Sequence, residues 1–420
     1  MPKTFGIALL ALVLAAASPT PAVAEAPAQS DQIPGAYIVT LEDTATTEGA
    51  GMDAVVDEAV AEAYTMGAQV QHVYRYALHG YSASMSASVA AALADDPGVR
   101  SVQPDRRVHA TAQSIPTGVD RAEADQNLTA AIDGVDTRVE ADVAVIDTGI
   151  TQNHADLNVY RAGGKNCWLP MLDPSDLHGH GTHVAGTIGA LDNGTGVVGM
   201  APGVRLWPVQ VLDPLGTGST SAVICGIDHV TQHADEIEVA NMSLGGSGTD
   251  DGDCGKSNDD AMHQAICNSV AAGVTYTVAA GNDHKDAANM IPAAYDEVIT
   301  VSALADFDGK PGGLGKATCR SDVDDTFANF SNYGSDIDLI APGVCITSTS
   351  SSGGYTTMSG TSMAAPHVAG AAALYLAGHA GAKPDTVKKA LRDAGSSNWT
   401  WPSQDGDVIN EPLLMLPSSF

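Results

Sequence analysis

The strongest constraint on the fold is a repeated pairing of a short, continuous apolar run with a longer helical stretch. Val143–Ile146, Arg205–Leu212, Val239–Leu244 and Thr275–Ala279 are such runs. A strand that alternates apolar with polar residues keeps one face wet, whereas a strand apolar throughout is covered on both faces. Parallel neighbours also need a crossover between them, which the intervening helical stretches supply. The expected class is therefore α/β: three layers, with helices on both sides of a mostly parallel central sheet. At 420 residues the chain is long enough for a large core and, by length alone, for two or three domains.

The N-terminal quarter reads differently. Lys3 precedes an apolar run from Phe5 to Ala17, and Ala22-Val23-Ala24 then supplies an A-x-A cleavage signal. Residues 1–24 read as an export signal, too short in its apolar part to span a bilayer. A secreted, extracellular protein without a membrane anchor is expected. Residues 25–111 form a second unit by pattern. Strand-like segments at Tyr37–Leu41, Val70–Tyr76 and Val99–Val102 alternate with helical segments at Met52–Met66 and Ser86–Ala94. That is a small α+β domain.

Charge and cysteines narrow the function. The net charge of −31, from 50 acidic against 19 basic residues, repels nucleic acid and anionic membranes, so neither is an expected partner. Cys167, Cys225, Cys254, Cys267, Cys319 and Cys345 form no C-x-x-C and no zinc spacing with histidine. An even number in an exported chain favours disulfides. The sequence leaves their connectivity open; the simplest arrangement is sequential, with Cys254–Cys267 closing a short local loop.

Three glycine-rich segments carry the chemistry: Asp147-Thr148-Gly149, His180-Gly181-Thr182-His183 and Gly360-Thr361-Ser362-Met363-Ala364. They supply an acid, a base and a nucleophile. A serine hydroxyl attacks well only when an imidazole takes its proton, and the imidazole needs a carboxylate to fix its tautomer. Asp147 closes an apolar strand, as suits a carboxylate presented at the carboxyl end of a parallel sheet. Ser362 opens a long apolar helix, whose first turn offers free N–H groups and a positive dipole end. An α/β-hydrolase would run Ser…Asp…His around G-x-S-x-G, and Ala364 breaks that pattern. H-G-T-H lacks the glutamate and i, i+4 histidines of H-E-x-x-H, which excludes that metal site.

The order Asp…His…Ser, with the strings His178–Gly186 and Gly360–Gly370, resembles the subtilisin-like serine peptidases. The resemblance runs from Ala112 to about Leu391, and Ala112–Val119 is similar to the start of mature subtilisins. It implies a subtilisin-like three-layer fold at 112–420 preceded by an inhibitory propeptide at 25–111, whose last residues, Val108–Thr111, lie in the substrate groove. It implies Asp147, His180 and Ser362 as the catalytic triad, with His183 structural and His178 a solvent-facing loop residue. Asn282, in Ala280-Gly281-Asn282, matches the oxyanion-hole asparagine, and Ser243-Leu244-Gly245-Gly246 the strand that lines the S1 pocket. A structural calcium ion is implied at Gln113, Asp156, Leu191, Asn193, Thr195 and Val197, and a second at Asp338 with the carbonyls of Asp296 and Val298. No catalytic metal is expected. The implied activity is hydrolysis of protein and peptide substrates by a monomer, broad in specificity with an apolar bias, made as an autoprocessed zymogen with its own propeptide as intramolecular inhibitor. A binding protein on the same fold would lack one of these site residues, and this chain lacks none. An esterase is disfavoured by chain order.

Overall fold

The computed structural model describes residues 32–42, 51–106, 113–400 and 410–419. The expected leader at 1–24, the segment 108–111 expected to lie in the groove, and the expected cleavage point between Thr111 and Ala112 lie outside the described residues. The chain forms two compact units, Met1–His109 and Ala110–Phe420.

The first unit is a four-stranded antiparallel sheet with two helices, Met52–Thr65 and Ala87–Ala94. Its strands run in the order Gln69–Tyr74, Gly80–Ser84, Gln32–Leu41, Val99–Arg106. Val39, Leu41, Val56, Ala63, Tyr81 and Leu93 form the core. Ser86 caps the second helix by accepting the Val89 N–H at 3.3 Å. The strand Gly80–Ser84, Gly-Tyr-Ser-Ala-Ser, has no apolar run and is absent from the sequence reading. Gly80 is required there, because a Cβ would fall 2.0 Å from the Val39 carbonyl oxygen.

The second unit holds an eight-stranded sheet. Across it lie Thr326–Phe327, Ile299–Ala305, Thr275–Ala279, Val239–Met242, Asp142–Asp147, Arg205–Gln210 and Lys165–Asn166, with Leu339–Pro342 also paired to Ile299–Ala305. Every pairing is parallel except that of Thr326–Phe327. Side chains alternate between two cores. Val143 and Val145 face Val184, Ile188, Ala364 and Val368 from the helices His180–Gly189 and Thr361–Gly378. Ala144 and Ile146 face Ile227 and Ile266 from the helices Thr220–Gln232 and Ala261–Ala271. The α/β expectation and its two covered faces are met.

The cysteines pair sequentially, Cys167–Cys225, Cys254–Cys267 and Cys319–Cys345. The C-terminal tail, uninformative as sequence, packs back on the start of this unit. Leu413, Leu414 and Leu416 are buried, and the Leu416 N–H donates to the Ala122 carbonyl at 2.9 Å. Beneath them Arg121 is fully buried, paired with Asp306 at 2.8 Å and Asp325 at 3.1 Å and donating to the Asn398 carbonyl at 2.6 Å.

Candidate active site and cation sites

Asp147 ends the central strand with its carboxylate buried, and His180 opens the helix that follows. The His180 Nδ1 meets both carboxylate oxygens, at 2.8 and 3.0 Å. Burial pulls the imidazole down, but the Asp147 carboxylate and the nearby Asp176 outweigh it and hold the ring above its ordinary pKa. Gly181 lets the two elements meet, since a Cβ there would lie 2.2 Å from the Gly149 carbonyl oxygen.

Asp176, which no sequence motif pointed to, organises this corner. Its Oδ1 accepts from the Thr148 hydroxyl at 2.9 Å and from the N–H groups of His178 and Gly179. Its Oδ2 accepts the N–H and hydroxyl of Thr182. One buried carboxylate thus ties the residue after Asp147 to the first turn of the His180 helix. His183 is buried with Nε2 on the carbonyls of Ile346 and Thr356, a structural setting. His178 is exposed.

Ser362 stands in the first turn of the helix Thr361–Gly378. Its Oγ is turned to the Ser243 carbonyl at 3.3 Å, and among the described residues it makes no hydrogen bond to His180. Asn282 lies beside it with Oδ1 accepting both the Thr361 N–H, at 2.8 Å, and the Thr361 hydroxyl, at 3.0 Å. The Thr361 hydroxyl oxygen in turn accepts the Gly281 N–H. With Oδ1 so occupied, the Asn282 NH₂ is the group left to face the cavity. The Ser362 N–H, at a helix start, is free of an intrahelical partner.

Two adjoining cavities share Leu244, Gly245 and Ile291. One holds His180 with Leu212, Leu215 and Val223. The other holds Ser362 and Asn282 with Ala279, Met290 and Ala293, a mostly apolar lining. Ser243, Leu244, Gly245 and Gly246 all border the first. The Ser243 side chain itself points elsewhere, donating to the Ser362 carbonyl at 2.9 Å and accepting from Asn241.

The first expected calcium set converges. Asn193 Nδ2 donates to Asp156 Oδ1 at 2.8 Å, and the Val197 N–H lies 3.4 Å from Asp156 Oδ2. The Gln113 amide bridges the Leu191 carbonyl and the Gly194 N–H. Thr195 donates through N–H and hydroxyl to Asn193 Oδ1. Tyr355, unforeseen from sequence, bonds the same Asp156 carboxylate. Burial pushes the Asp156 carboxyl above its ordinary range, an electrostatic cost that a bound cation would relieve, so these oxygens fit calcium.

The second expected set also converges, but on a different cation. Lys388 Nζ sits 2.8 Å from Asp338 Oδ2 and donates to the carbonyls of Val298, at 2.8 Å, and Asp296, at 3.1 Å. Arg392 adds a contact to Asp338 Oδ1 at 3.3 Å. The ammonium occupies the position the metal was expected to take and would repel a divalent ion, so the expectation of calcium at Asp296, Val298 and Asp338 is corrected. Nothing in the helix Pro384–Ala394, read alone, said which of its lysines would turn inward.

Comparison with known proteins follows the same division. The Subtilase family model matches residues 140–406, and that of the Peptidase inhibitor I9 matches residues 36–111. The chain is 38% identical over 408 residues to the extracellular serine proteinase of Thermus sp. (strain Rt41A), covering 90% of this chain and 91% of that one. It is 38% identical over 289 residues to subtilisin DY of Bacillus licheniformis, covering 68% and 93%. The crystal structure of a cold adapted subtilisin-like serine proteinase superposes with a TM-score of 0.56 at 35% identity, over 71% of this chain and 97% of that one.

Proposed function

The chain belongs to the subtilase family of serine peptidases, and from that premise we propose that Ser362, His180 and Asp147 cleave peptide bonds through an acyl-enzyme. The observation that carries the reading is the two-oxygen grip of Asp147 on His180 Nδ1, which leaves Nε2 as the face for the nucleophile. His180 takes the Ser362 proton as Oγ adds to the substrate carbonyl, then returns it to the leaving amine; water repeats the cycle to release the acid. Charge collects on the carbonyl oxygen in the tetrahedral intermediate. The Asn282 NH₂ and the Ser362 N–H are the donors for it.

Backbone pairing along Ser243–Gly246 would bind extended peptide with little regard to sequence, while the apolar lining around Ala279, Met290 and Ala293 favours apolar residues. We take residues 1–24 as an export leader, 25–111 as the propeptide and intramolecular inhibitor, and 112–420 as the secreted monomeric peptidase released by autoprocessing. The I9 match and extracellular relatives support this reading. Gln113, Asp156, Leu191, Asn193, Thr195 and Val197 would hold one calcium ion, whose part is to neutralise Asp156 and brace the loop. Ser362→Ala tests the whole: loss of activity near a millionfold, the scale found for triad losses in a subtilisin, together with an unprocessed chain. Normal maturation and casein hydrolysis by that variant would overturn it.

A further inference from the structure

The helix Ala261–Ala271 carries a histidine that the peptidase chemistry does not use. His263 is fully buried, its ring stacked on Tyr295 with centroids 3.9 Å apart and planes 2° from parallel. Its Nε2 bonds Glu297 Oε2 at 2.8 Å. Its Nδ1 has no hydrogen-bond partner, yet lies 3.6 Å from Asp250 Oδ1 and 3.6 Å from Asp251 Oδ1. The three atoms lie within 4.8 Å of one another.

These contacts make an electrostatic puzzle. Glu297 fixes the Nε2–H tautomer, which turns the Nδ1 lone pair toward two carboxylates. If Nδ1 instead carried a proton, 3.6 Å would be too long for it to reach either oxygen. Both carboxylates are already oriented by the backbone. Asp251 accepts the N–H groups of Asp253, Gly255, Ser257 and Asn258, and Asp250 accepts those of Gly252 and Asp296. They cannot readily swing closer. A positive charge placed between that nitrogen and the two oxygens would satisfy all three.

We propose that Asp250, Asp251 and His263 form a binding site for a divalent cation of the zinc class. Ligands of a tetrahedral zinc ion with bonds of about 2.0–2.2 Å stand roughly 3.3–3.5 Å apart, close to the separations here. An imidazole in the set disfavours calcium and magnesium, which select oxygen. Glu297 behind the ring is the carboxylate partner that ligating histidines characteristically have. The fourth position is open to water. Asp250 follows the substrate strand Ser243–Gly246 closely in sequence, so the ion would anchor the end of that strand to the helix Ala261–Ala271.

The test uses the full chain carrying Ser362→Ala, so that proteolysis cannot consume it, with calcium saturating. Cobalt(II) is the probe, because tetrahedral coordination gives intense visible absorption, and zinc then displaces it. The parent should bind one equivalent more than Asp250→Asn or His263→Gln, show the absorption, and gain thermal stability from zinc that both variants lack. Glu297→Gln should weaken cobalt binding by about 10–100-fold without abolishing it. Asp250 is partly exposed and its amide preserves shape, so that variant carries the test if His263→Gln does not fold. Equal stoichiometry and equal spectra in the parent and Asp250→Asn would overturn the site.

Discussion

Lys388→Ala removes the ammonium that stands where a metal was expected, and its consequences can be worked from the contacts. Asp338 would lose its partner at 2.8 Å, and two backbone carbonyls would lose their donor. Asp338 would keep the Thr300 N–H, at 3.0 Å, and Arg392, whose half-exposed guanidinium is screened and compensates little. Breaking a fully buried pair costs about 3–5 kcal/mol; Lys388 keeps some solvent contact, so about 2–3 kcal/mol is expected here. For a unit of this size, Ala110–Phe420, that lowers the unfolding midpoint by roughly 3–5 °C. The variant should then gain, at this second site, a calcium response beyond the one it shares with the parent through Asp156. Without the ammonium, Asp338 and the two carbonyls present oxygens to an empty centre, and calcium at ~100 times its Kd would return about 2.7 kcal/mol. The assay is thermal unfolding in the Ser362→Ala background at graded calcium, read as the difference between Lys388→Ala and its parent, which cancels the contribution of the Asp156 site. A midpoint within about 1 °C of the parent, or an identical calcium response, would refute the reasoning.

Asn282→Ala should lower kcat by roughly 10²–10³ with KM little changed, the magnitude found when such a donor is removed from a subtilisin; an equal loss in KM would mean a role in substrate binding instead. Chelation should shorten the thermal half-life of the peptidase through the Asp156 site, and Asp156→Asn should abolish most of that sensitivity, as inactivation kinetics with and without EDTA would read. Burial pushes the imidazoles of His183 and His367 down to about 4, against an unfolded value near 6.5. The unfolded chain therefore binds more protons between those values, so the stabilisation is full above pH 6.5 and is lost as pH falls toward 4, by up to about 3 kcal/mol for each ring. Midpoints measured from pH 7 to 4.5 should fall, and less steeply in His367→Asn, whose amide can replace the Nδ1–H donated to the Met363 carbonyl at 2.8 Å; equal slopes would exclude His367 as a source.

What could be read from the sequence was whatever a local segment determines for itself. The strand Asp142–Asp147 announces both of its covered faces in four consecutive apolar residues, and Gly181 stands in a motif because the backbone of Gly149 excludes any side chain there. The loop 191–197, expected to hold calcium, likewise carries its turn chemistry in Asn193-Gly194-Thr195. Features made by distant segments were not legible. Asp176 matters because Thr148 and Thr182 both reach it, and no spacing encodes that. Lys388 is one of two adjacent lysines, and only the packing of its helix sends it to Asp338. Leu413, Leu414 and Leu416 look like an ordinary apolar tail until Ala122 is found beneath them.

The buried guanidinium of Arg121 has a consequence for how the peptidase unit comes into being. Its partners Asp325 and Asn398 follow it by 204 and 277 residues. A chain emerging N-terminus first thus makes the cation long before anything that can neutralise it in a dry interior, and burying it alone would cost several kcal/mol. Contacts so distant in sequence delay folding, because the loop must close before they are rewarded. The pairing of Arg121 thus waits on residues near the end of the chain, twenty or so positions beyond the helix Thr361–Gly378 that carries Ser362.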